Sequence, residues 1–451
     1  MRILVVADYY RHGTGRVVEE RAADLVRRGH AVSLLAGTDA ERLDLESEFA
    51  RGRGLSPALL PYAPGRRGPV ELFRLSRAFR ARFESLVRSR RFDVLLLNQP
   101  LSAWPILSSP LGKALPSLYT FHSPWSEEWR IAHQGTGGLA RVATGWVQRA
   151  ARNWIEDRAL RCASAVTLLS GFMREELRRH HPAVDTGKIA LIPGGVETGR
   201  FHPRPQAERE GWRTTHGIPL DAPLLFTVRR LVPRMGLDLL LDAFAQLRRT
   251  VPSAYLACGG AGPLAAALRE RARTLGVAEQ VRFLGYVSEE ELPLAYASAD
   301  LFVLPTLSLE GFGLVTIEAL ASGVPVVATP VGASSEILAP IDPLLIALDV
   351  TPSALCEAIM RTLSQSADER AAIGSRAMER VHHLYDAERV GERLEELLAR
   401  VSGAPVRESE PWKDQRPRSS RSRSRSGSGR AASQTISVVA VPGRDASGTP
   451  R

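Results

Sequence analysis

The sequence predicts an α/β protein made of two domains built on parallel sheets, followed by a basic C-terminal tail. Strand-like apolar runs alternate with amphipathic helices from residue 3 to residue 400, which is the pattern of parallel α/β architecture. The chain has 451 residues, enough for two or three domains. Hydrophobic residues make up 44% and charged residues 24%, which excludes a collagen, a disordered chain or a disulfide scaffold for the whole.

The first predicted domain covers residues 1–200. Its strands are predicted at Ile3–Ala7, Ala31–Ala36, Val94–Leu97, Ser117–Phe121, Ala165–Leu169 and Ile189–Ile192. A helix from about Gly15 to Arg28 connects the first two strands, and Pro193-Gly194-Gly195 marks the exit from the sheet. The longest charge-free run, Val94 to Gly112, contains three prolines and is a poor transmembrane candidate.

The second predicted domain covers residues 201–384. Its first residues, Phe201 to Arg213, are rich in proline and charge and are predicted to be an interdomain linker. Its strands are predicted at Leu224–Val228, Ala254–Ala257, Val281–Phe283, Leu301–Leu304 and Val324–Ala328. Its helices are predicted near Leu237–Thr250, Pro263–Leu275, Ser288–Ser298, Gly313–Ser322 and Ser353–Leu363. With two α/β halves of similar size, the cleft between them is the default ligand site.

The end of the chain is predicted to be helical and then disordered. The region Ala367–Arg400 reads as helix, with residues 385–401 as a closing C-terminal helix, and residues 402–451 form a low-complexity tail rich in Arg and Ser. That tail holds ten Arg and Lys against four Asp and Glu, so it carries +6 of the net charge of +10. The folded part is therefore only mildly basic, and nucleic acid is not an expected partner.

The densest polar motif follows the fourth predicted strand of the second domain. Gly311 and Gly313 open a helix there, and the free N–H groups of a helix N-terminus form an anion site that glycines let a phosphate approach. Glu310 precedes this helix and Glu318 lies within it. A continuous helix would place them about 12 Å apart, whereas retaining glycosidases hold their carboxylates about 5–5.5 Å apart. We therefore expect the two glutamates to contact different ends of one extended ligand rather than to act as the carboxylate pair of a hydrolase.

These residues carry a resemblance to the family 4 glycosyltransferases, which are retaining enzymes with the GT-B fold of two Rossmann-like domains facing a cleft. Glu310 and Glu318 match the family's Glu-x7-Glu signature. The flanking blocks Val281–Val287, Leu292–Asp300 and Ala321–Gly332 agree with it as well. The resemblance covers roughly Met1 to Arg400 and leaves out the tail.

The resemblance implies a nucleotide-sugar site in the second domain. It assigns Glu318 to the ribose hydroxyls of the donor and Glu310 to a contact with the donor sugar, as a candidate catalytic residue. The backbone that would hold the diphosphate is that of Gly311, Phe312, Gly313, Leu314 and Val315.

A second block of the resemblance is basic. Arg230 matches the arginine of the family's Gly-Arg-Leu…Lys-Gly motif, and it is also a catalytic candidate because guanidinium groups can stabilise a leaving diphosphate. The chain departs from the motif twice, since Arg229 replaces the usual glycine and Met235 stands where a phosphate-binding lysine is expected. Arg234 is predicted to supply the missing cation, although a solvated basic loop is the alternative.

In the first domain the resemblance points to a glycine-rich loop and a histidine. Gly13 and Gly15 would let the loop face the donor phosphates and sugar, and Arg16 would reach a phosphate or the acceptor, or else simply lie in a helix-capping loop. His122 stands where the family carries a histidine near the reacting sugar, while a lone histidine is as often structural. The indoles of Trp125 and Trp129 could stack on a sugar or belong to the core.

Residues 66–91 contain nine arginines and two acids, with apolar residues at helical spacing. Such a basic amphipathic helix can bind an anionic membrane surface. The same apolar stripe is also what any helix packed on a sheet shows. Both interpretations stay open at the level of sequence.

The predicted function is a retaining, metal-independent glycosyltransferase. It would move a sugar from a nucleoside diphosphate donor to a hydroxyl acceptor, either a glycan, a glycolipid or a small molecule. Because the arginines would neutralise the charge of the diphosphate, no metal or other cofactor is expected. The chain also contains no Asp-x-Asp motif that could hold a metal ion. The alternatives are another GT-B enzyme, such as a nucleotide-sugar epimerase, and a binding protein that uses its basic tail.

The expected location is the cytoplasm, and for a lipid-linked acceptor the inner face of the membrane. The three cysteines, Cys162, Cys258 and Cys356, are far apart and odd in number, which suits a reducing compartment. The first residues read as a strand and lack the layout of a signal peptide.

Overall fold

The computed structural model describes residues 1–10, 15–61, 69–133 and 139–405. These residues form two parallel sheets flanked by helices, so the predicted α/β architecture is confirmed. Both sheets belong to one compact unit, Met1–Val406. The domain boundaries at 1–200, 201–384 and 385–401 therefore stay predictions, and the tail from residue 406 lies outside the described residues.

The first sheet has eight strands, all parallel, in the order β3-β2-β1-β5-β6-β7-β8, with β4 pairing separately with β2. They are β1 (Arg2–Ala7), β2 (Ala31–Thr38), β3 (Ser56–Pro57), β4 (Leu60–Pro61), β5 (Val94–Leu97), β6 (Ser117–Phe121), β7 (Ala165–Leu168) and β8 (Ile189–Leu191). Strands β5, β6 and β7 are buried along their whole length, as expected for parallel strands covered on both faces. The strand order reverses between β1 and β5, which marks the place where such sheets bind ligands.

Eight helices cover this sheet. They are α1 (Gly15–Arg27), α2 (Leu43–Gly52), α3 (Pro69–Ser89), α4 (Pro100–Leu107), α5 (Pro110–Lys113), α6 (Trp125–Ala132), α7 (Leu139–Cys162) and α8 (Gly171–His180). Ser170 caps α8 by accepting a hydrogen bond from the Met173 N–H at 3.1 Å, so the helix begins directly after β7. None of the helices in the described part of the chain is long and apolar enough to cross a membrane.

The second sheet has five parallel strands in the order β11-β10-β9-β12-β13. They are β9 (Leu224–Val228), β10 (Tyr255–Gly259), β11 (Val281–Gly285), β12 (Leu301–Leu304) and β13 (Val326–Ala328). Its helices are α9 (Gln206–Thr215), α10 (Leu237–Thr250), α11 (Ala265–Thr274), α12 (Leu292–Ala297), α13 (Leu314–Ala321), α14 (Ser334–Leu338), α15 (Pro352–Leu363) and α16 (Ala367–Leu384). Here the order reverses between β9 and β12. One more helix, α17 (Ala387–Ser402), follows them in the chain.

One prediction about a connection was wrong. The expected linker contains α9, whose Trp212 and Arg213 are buried against the second sheet, because an amphipathic face outweighs the flanking prolines and charges. The predicted helical region 367–400 consists of two helices separated by a break at Tyr385 and Asp386, where the predicted C-terminal helix 385–401 begins. The Tyr385 carbonyl accepts from the Val196 N–H at 2.8 Å, and Ala387 donates to the Val196 carbonyl at 2.9 Å. The chain therefore leaves the helix to pair with the segment that joins the two sheets.

After this break, α17 returns to the first half. Its buried side chains, among them Val390, Leu394 and Leu398, lie in the same apolar cluster as strand β1. Glu395 accepts a hydrogen bond of 3.5 Å from Arg28, which directly follows α1. Since α17 completes the first half, the chain crosses between the halves twice.

The basic helix α3 packs on the first sheet through its apolar side. Leu75, Phe79, Phe83 and Leu86 are buried in one core cluster with residues of β5 and β6. These side chains are therefore not available to a membrane, and the sheet-packing interpretation of this stripe is correct. Phe73 points the other way and is 58% exposed.

Two phenylalanines on α3 test this orientation. Phe79→Ala should lower the free energy of unfolding by about 3–5 kcal/mol, because it opens a cavity in a fully packed core. Phe73→Ala, the matched exposed position, should change it by less than about 0.5 kcal/mol. Thermal and urea unfolding of the two variants measures both values, and equal losses would contradict the orientation of the helix.

Candidate functional site

Three loops of the second half meet where the strand order reverses, at the carboxyl ends of β9, β10 and β12. The loop after β10 must be glycine-rich because it touches the loop after β9. A Cβ on Gly260 would lie 1.8 Å from the Arg229 carbonyl oxygen, and one on Gly262 would lie 2.4 Å from that of Leu231. The Leu231 N–H donates to Ala261 at 3.0 Å, which joins the two loops.

A buried ion pair fixes Glu310 at this edge. The Arg229 guanidinium donates to the Glu310 carboxylate and, at 2.6 Å, to the Thr306 hydroxyl. Thr306 in turn donates to Glu310 at 2.8 Å. Burial alone would raise the pKa of the Glu310 carboxyl, but the charge and hydrogen bond of Arg229 outweigh it and hold that pKa below its ordinary value.

The backbone around Glu310 is held in an unusual conformation. Leu309 has φ 52°, in the left-handed region that non-glycine residues rarely adopt. Arg234 donates to the Leu309 carbonyl at 3.1 Å, and this contact stabilises the turn. A Cβ on Gly332 would lie 2.1 Å from the Glu310 carbonyl oxygen, so the next loop closes tightly over it.

Arg230 and Arg234 lie beside this pair. Arg230 is exposed, although part of its guanidinium is desolvated, and that desolvation followed by the like charge of Arg234 lowers its pKa. Met235, which stands at the lysine position of the family motif, is buried in the core instead of facing the site. Gly236 follows it with φ 72°, and a Cβ there would lie 1.8 Å from the Pro305 carbonyl oxygen.

Helix α13 begins at this edge without a side-chain cap. Its N-cap is Gly313, with φ 84°, and no side chain accepts from the first N–H groups, which include those of Leu314 and Val315. Free N–H groups at a helix N-terminus attract anions. The side chain of Phe312 is buried and packs edge-on against Tyr385, with ring centroids 5.5 Å apart.

Glu318 lies deeper than Glu310. It is 3% exposed and accepts a hydrogen bond of 2.8 Å from the hydroxyl of Tyr296, which is itself fully buried on α12. The two glutamates of the motif therefore differ in environment, since Glu310 is paired with a cation and Glu318 with a phenol.

In the first half, His122 follows β6 at the carboxyl edge of the sheet. Its Nε2 atom is buried and has no hydrogen-bond partner. Burial, followed by the charge of Arg21 on α1, lowers the pKa of His122 to about 3. Arg21 is itself buried, donating to Thr120 and to the Ile192 carbonyl at 3.4 Å each. The imidazole is therefore neutral at physiological pH and offers an unused polar atom.

Next to it, an arginine lies between two indoles. The guanidinium carbon of Arg152 on α7 is 5.2 Å from the ring centre of Trp125 and 5.0 Å from that of Trp129, both on α6. Burial lowers the pKa of Arg152 to about 10, and its Nε atom has no partner. Both tryptophans are half-buried. Neither indole is therefore fully exposed for stacking on a sugar, and neither belongs wholly to the core.

The two halves touch through the predicted donor loop. The Ser170 hydroxyl donates to the Gly311 carbonyl at 2.6 Å. A Cβ on Gly311 would lie 2.9 Å from the His122 carbonyl oxygen, which explains the glycine there. Glu336 of α14 accepts from the Gly171 N–H at 2.9 Å and so caps α8 from the other half.

The first glycine-rich loop lies partly outside the described residues. Gly13 and the side chain of Arg16 lie outside the described residues, and Gly15 is the first residue of α1. Glu128 links the two halves, since it accepts a hydrogen bond of 2.8 Å from Ser123, the residue after His122, and lies 3.9 Å from Arg234. The described residues thus bring His122, Glu310 and Arg234 to one cleft.

Sequence reasoning missed two residues of this site. Arg229 was treated as a departure from the motif, although it is the partner of Glu310, and Arg152 was not singled out. The sequence signal that could have indicated Arg229 is that two arginines, Arg229 and Arg230, directly follow a strand. No sequence signal marks Arg152, because its neighbours Trp125 and Trp129 lie on another helix.

The described side chains contain no group of three or more His, Cys, Asp or Glu arranged to hold a metal ion. The three cysteines are free thiols, and Cys258 and Cys356 are buried. The chemistry that this cleft can supply is that of fixed cations, free N–H groups, a neutral imidazole and a paired carboxylate.

Comparison with known proteins follows the two halves. Residues 11–200 match the model of the Glycosyltransferase Family 4, and residues 208–380 match that of the Glycosyl transferases group 1. Together the matches span about four fifths of the chain. Each half of the chain therefore matches the model of a glycosyltransferase family.

Curated relatives match this chain over shorter stretches. A GDP-mannose-dependent alpha-(1-6)-phosphatidylinositol monomannoside mannosyltransferase of Mycolicibacterium smegmatis is 40% identical over 180 residues, which are 39% of this chain and 46% of that protein. The mannosylfructose-phosphate synthase of Agrobacterium fabrum is 39% identical over 149 residues, 31% of this chain and 32% of that one. The chain therefore spans half or less of these relatives' lengths.

Solved structures show the fold over almost the whole described chain. The sucrose-phosphate synthase from Thermosynechococcus elongatus has a TM-score of 0.71 at 24% identity, covering 89% of this chain and 100% of that one. Anabaena HepE, in complex with UDP and glucose, has a TM-score of 0.69 at 18% identity, covering 88% and 99%. The GT-B fold that the sequence resemblance predicts is confirmed.

The ion pair of Glu310 gives a prediction about stability and pH. Arg229→Met leaves a buried carboxylate unpaired and should lower the free energy of unfolding by about 3–5 kcal/mol at pH 8. The pair depresses the pKa of Glu310, so its stabilisation is present above the ordinary value of 4.5 and is lost as the pH falls through the depressed pKa. The difference between variant and wild type should therefore shrink below about pH 4.5.

Arg230→Met is the matched control for this measurement. Arg230 is exposed and should cost no more than about 0.5 kcal/mol. Urea unfolding at pH 8 and pH 4 distinguishes the two positions. An equal loss for both variants, or a loss for Arg229→Met that grows towards acid, would contradict the assignment.

Proposed function

We propose that this protein transfers a sugar from a nucleoside diphosphate donor to a hydroxyl group of an acceptor, with retention of configuration and without a metal ion. The observation that carries the proposal is the group at the reversal point of the second sheet. There the buried Arg229–Glu310 pair, the cations Arg230 and Arg234 and the uncapped N-terminus of α13 lie at one edge.

The diphosphate would lie against Arg230, Arg234 and the N–H groups of Leu314 and Val315. As the bond between the sugar carbon and the diphosphate oxygen breaks, negative charge develops on the leaving group. Fixed guanidinium and N–H groups stabilise that charge without reorganisation. This supports a reaction in which cationic side chains, rather than a divalent metal ion, stabilise the leaving diphosphate.

The donor sugar would lie between Glu310 and His122. The bond from Arg229 keeps Glu310 ionised and fixed, so it would accept from sugar hydroxyls rather than act as a general acid. The orphaned Nε2 of His122 would take up a further sugar hydroxyl. Glu318, which already accepts from Tyr296, would bind the ribose through its other oxygen.

The acceptor would enter from the first half, beside Trp125, Trp129 and Arg152. Its hydroxyl oxygen would form the new bond to the sugar carbon from the side that the diphosphate leaves. Because the new bond forms on the face that the diphosphate leaves, the configuration of the sugar carbon would be retained. The hydroxyl proton would pass to the departing diphosphate oxygen. The unpaired Nε of Arg152 makes this region suited to an acceptor with polar or anionic substituents.

The GDP-mannose dependence of the mycobacterial relative makes GDP-mannose the first donor to test. The full chain is incubated with GDP-, UDP- and ADP-sugars in the presence of EDTA, and released nucleoside diphosphate is measured. We expect release from one donor. Glu310→Gln and Arg230→Ala should each lower the rate by about 10²-fold or more, because each removes a fixed charge at the reacting group.

Exposed residues on α11 serve as matched controls. Glu270→Gln and Arg273→Ala change the same side-chain types at positions that are 67% and 66% exposed, and both should keep wild-type rates. If no donor is hydrolysed or transferred and none binds by calorimetry, the proposed function is wrong. A strict requirement for a divalent ion would overturn the metal-independent mechanism alone.

His122 gives a separate prediction about pH. Because its pKa is about 3, the imidazole stays neutral from pH 5.5 to pH 8 and its removal should not alter the shape of the pH–rate profile. His122→Phe should lower kcat/KM by about 10- to 100-fold through the lost hydrogen bond, and His122→Asn should restore part of it. An inflection near pH 6.5 that disappears in His122→Phe would mean that the histidine titrates during the reaction.

A further inference from the structure

Helix α7 presents an apolar stripe to solvent. The stripe consists of Trp146, Val147, Ala150, Ala151 and Trp154, which are all exposed and recur at the spacing of one side of a helix. Trp146 is 72% exposed and Trp154 is 52% exposed. Contiguous exposed apolar side chains of this size mark an interaction surface.

The exposure of the stripe is imposed by the opposite side of the same helix. There Glu156 is buried and accepts from His181 at 3.1 Å and from the Trp125 N–H at 2.9 Å. Leu160 lies in the core beneath the first sheet, and Arg152 lies between the indoles at the cleft. The helix cannot rotate to hide the stripe without breaking these contacts.

The surface around the stripe extends to α3. Residues of α3, α4 and α7 lie in one core cluster on the same face of the first sheet, so the solvent sides of these helices form one outer surface. On it, Arg77 lies over the exposed ring of Phe73 at 6.0 Å, and Arg158 over Trp154 at 5.8 Å. Trp104 of α4 meets Trp154 edge-on at 5.5 Å.

This outer surface is strongly basic. Among the described residues of α3 and α7, its carboxylates are Glu71, Glu84 and Asp157, and the last two lie beside arginines. Its exposed arginines are Arg74, Arg77, Arg80, Arg82, Arg88, Arg158 and Arg161. A partner of opposite charge is therefore favoured.

We propose that the α7 stripe and the surrounding arginines bind the surface of an anionic lipid bilayer. Indoles and apolar side chains enter the boundary between headgroups and acyl chains, while arginines above them contact anionic headgroups. Each basic residue near such a surface adds about 1 kcal/mol of attraction. On both helices an exposed aromatic ring is paired with an arginine. This pairing fits a bilayer surface, in which an apolar layer lies directly below charged headgroups, better than it fits the surface of a protein partner.

The position of α7 gives this docking a consequence for the cleft. The helix turns its stripe to the membrane and Arg152 to the cleft, so the acceptor side of the cleft would open next to the lipid surface. A lipid-bearing acceptor could then reach the donor without leaving the bilayer. This consequence rests on the proposed function, whereas membrane binding itself does not.

Vesicle sedimentation with the full chain tests the proposal. Wild type should bind vesicles of phosphatidylcholine with about one third phosphatidylglycerol and should not bind phosphatidylcholine alone. The double variant Trp146→Ser/Trp154→Ser should bind about tenfold less tightly or worse, since two large apolar groups no longer enter the interface. Arg158→Glu should bind about fivefold less tightly or worse.

Controls on the second half separate specific docking from general surface effects. Leu348→Ser, at a position 78% exposed, and Arg273→Glu change the same kinds of side chain elsewhere and should leave binding unchanged. Thermal unfolding and the single variant Trp146→Ser check that reduced binding is not misfolding, because Trp146 is the more exposed of the two indoles.

Three results would overturn the proposal. The first is that wild type does not bind anionic vesicles. The second is that all variants bind equally, which would assign the binding to the basic residues 407–451 that every variant retains. The third is that sedimentation velocity shows a dimer that Trp146→Ser dissociates while vesicle binding persists, which would make the stripe a contact between copies of this chain. Donor turnover without vesicles is measured in parallel, so a failure of the proposed function is seen separately.

Discussion

The geometry of the second half depends on the buried ion pair between Arg229 and Glu310. Removing two charges from water is costly, and a buried pair is retained where its hydrogen bonds fix a particular arrangement. Here the pair is completed by Thr306, and the carbonyl of Glu310 is approached closely by Gly332. The left-handed backbone of Leu309 persists because these contacts surround it. One charged contact thus orders the loop that the proposed donor would meet.

The same loop also joins the two halves of the molecule. Its Gly311 carbonyl accepts from Ser170, and its Phe312 ring packs on Tyr385, where the chain pairs with Val196 before returning to the first half. A ligand that contacts this loop therefore contacts the junction between the sheets. This coupling explains why the loop has little freedom, with glycine at position 311 because of the His122 backbone.

Helices α3 and α7 show how one element can serve two surfaces. In α3, Phe79 lies in the core while Phe73 faces solvent, and in α7, Arg152 faces the cleft while Trp154 faces outward. Both helices are thereby fixed by their buried sides, which leaves their outer sides free to carry aromatic and basic residues. The candidate cleft and the proposed membrane surface are then two sides of the same structural layer.

The sequence by itself determined the alternation of strands and helices, the helix start at Gly313 and the family resemblance through Glu310 and Glu318. Strands such as Val94–Leu97 and Leu301–Leu304 were predicted with the bounds that the structure has, because burial of a strand on both faces leaves an apolar run in the sequence. Only the tertiary structure decided that Arg229, 81 residues away, is the partner of Glu310. It also decided that the helix after residue 367 breaks to pair with Val196 and that one side of α7 stays exposed. The physical reason is range: periodicity and turn chemistry act between neighbours in the chain, whereas charge pairing and burial depend on which elements the sheets bring together.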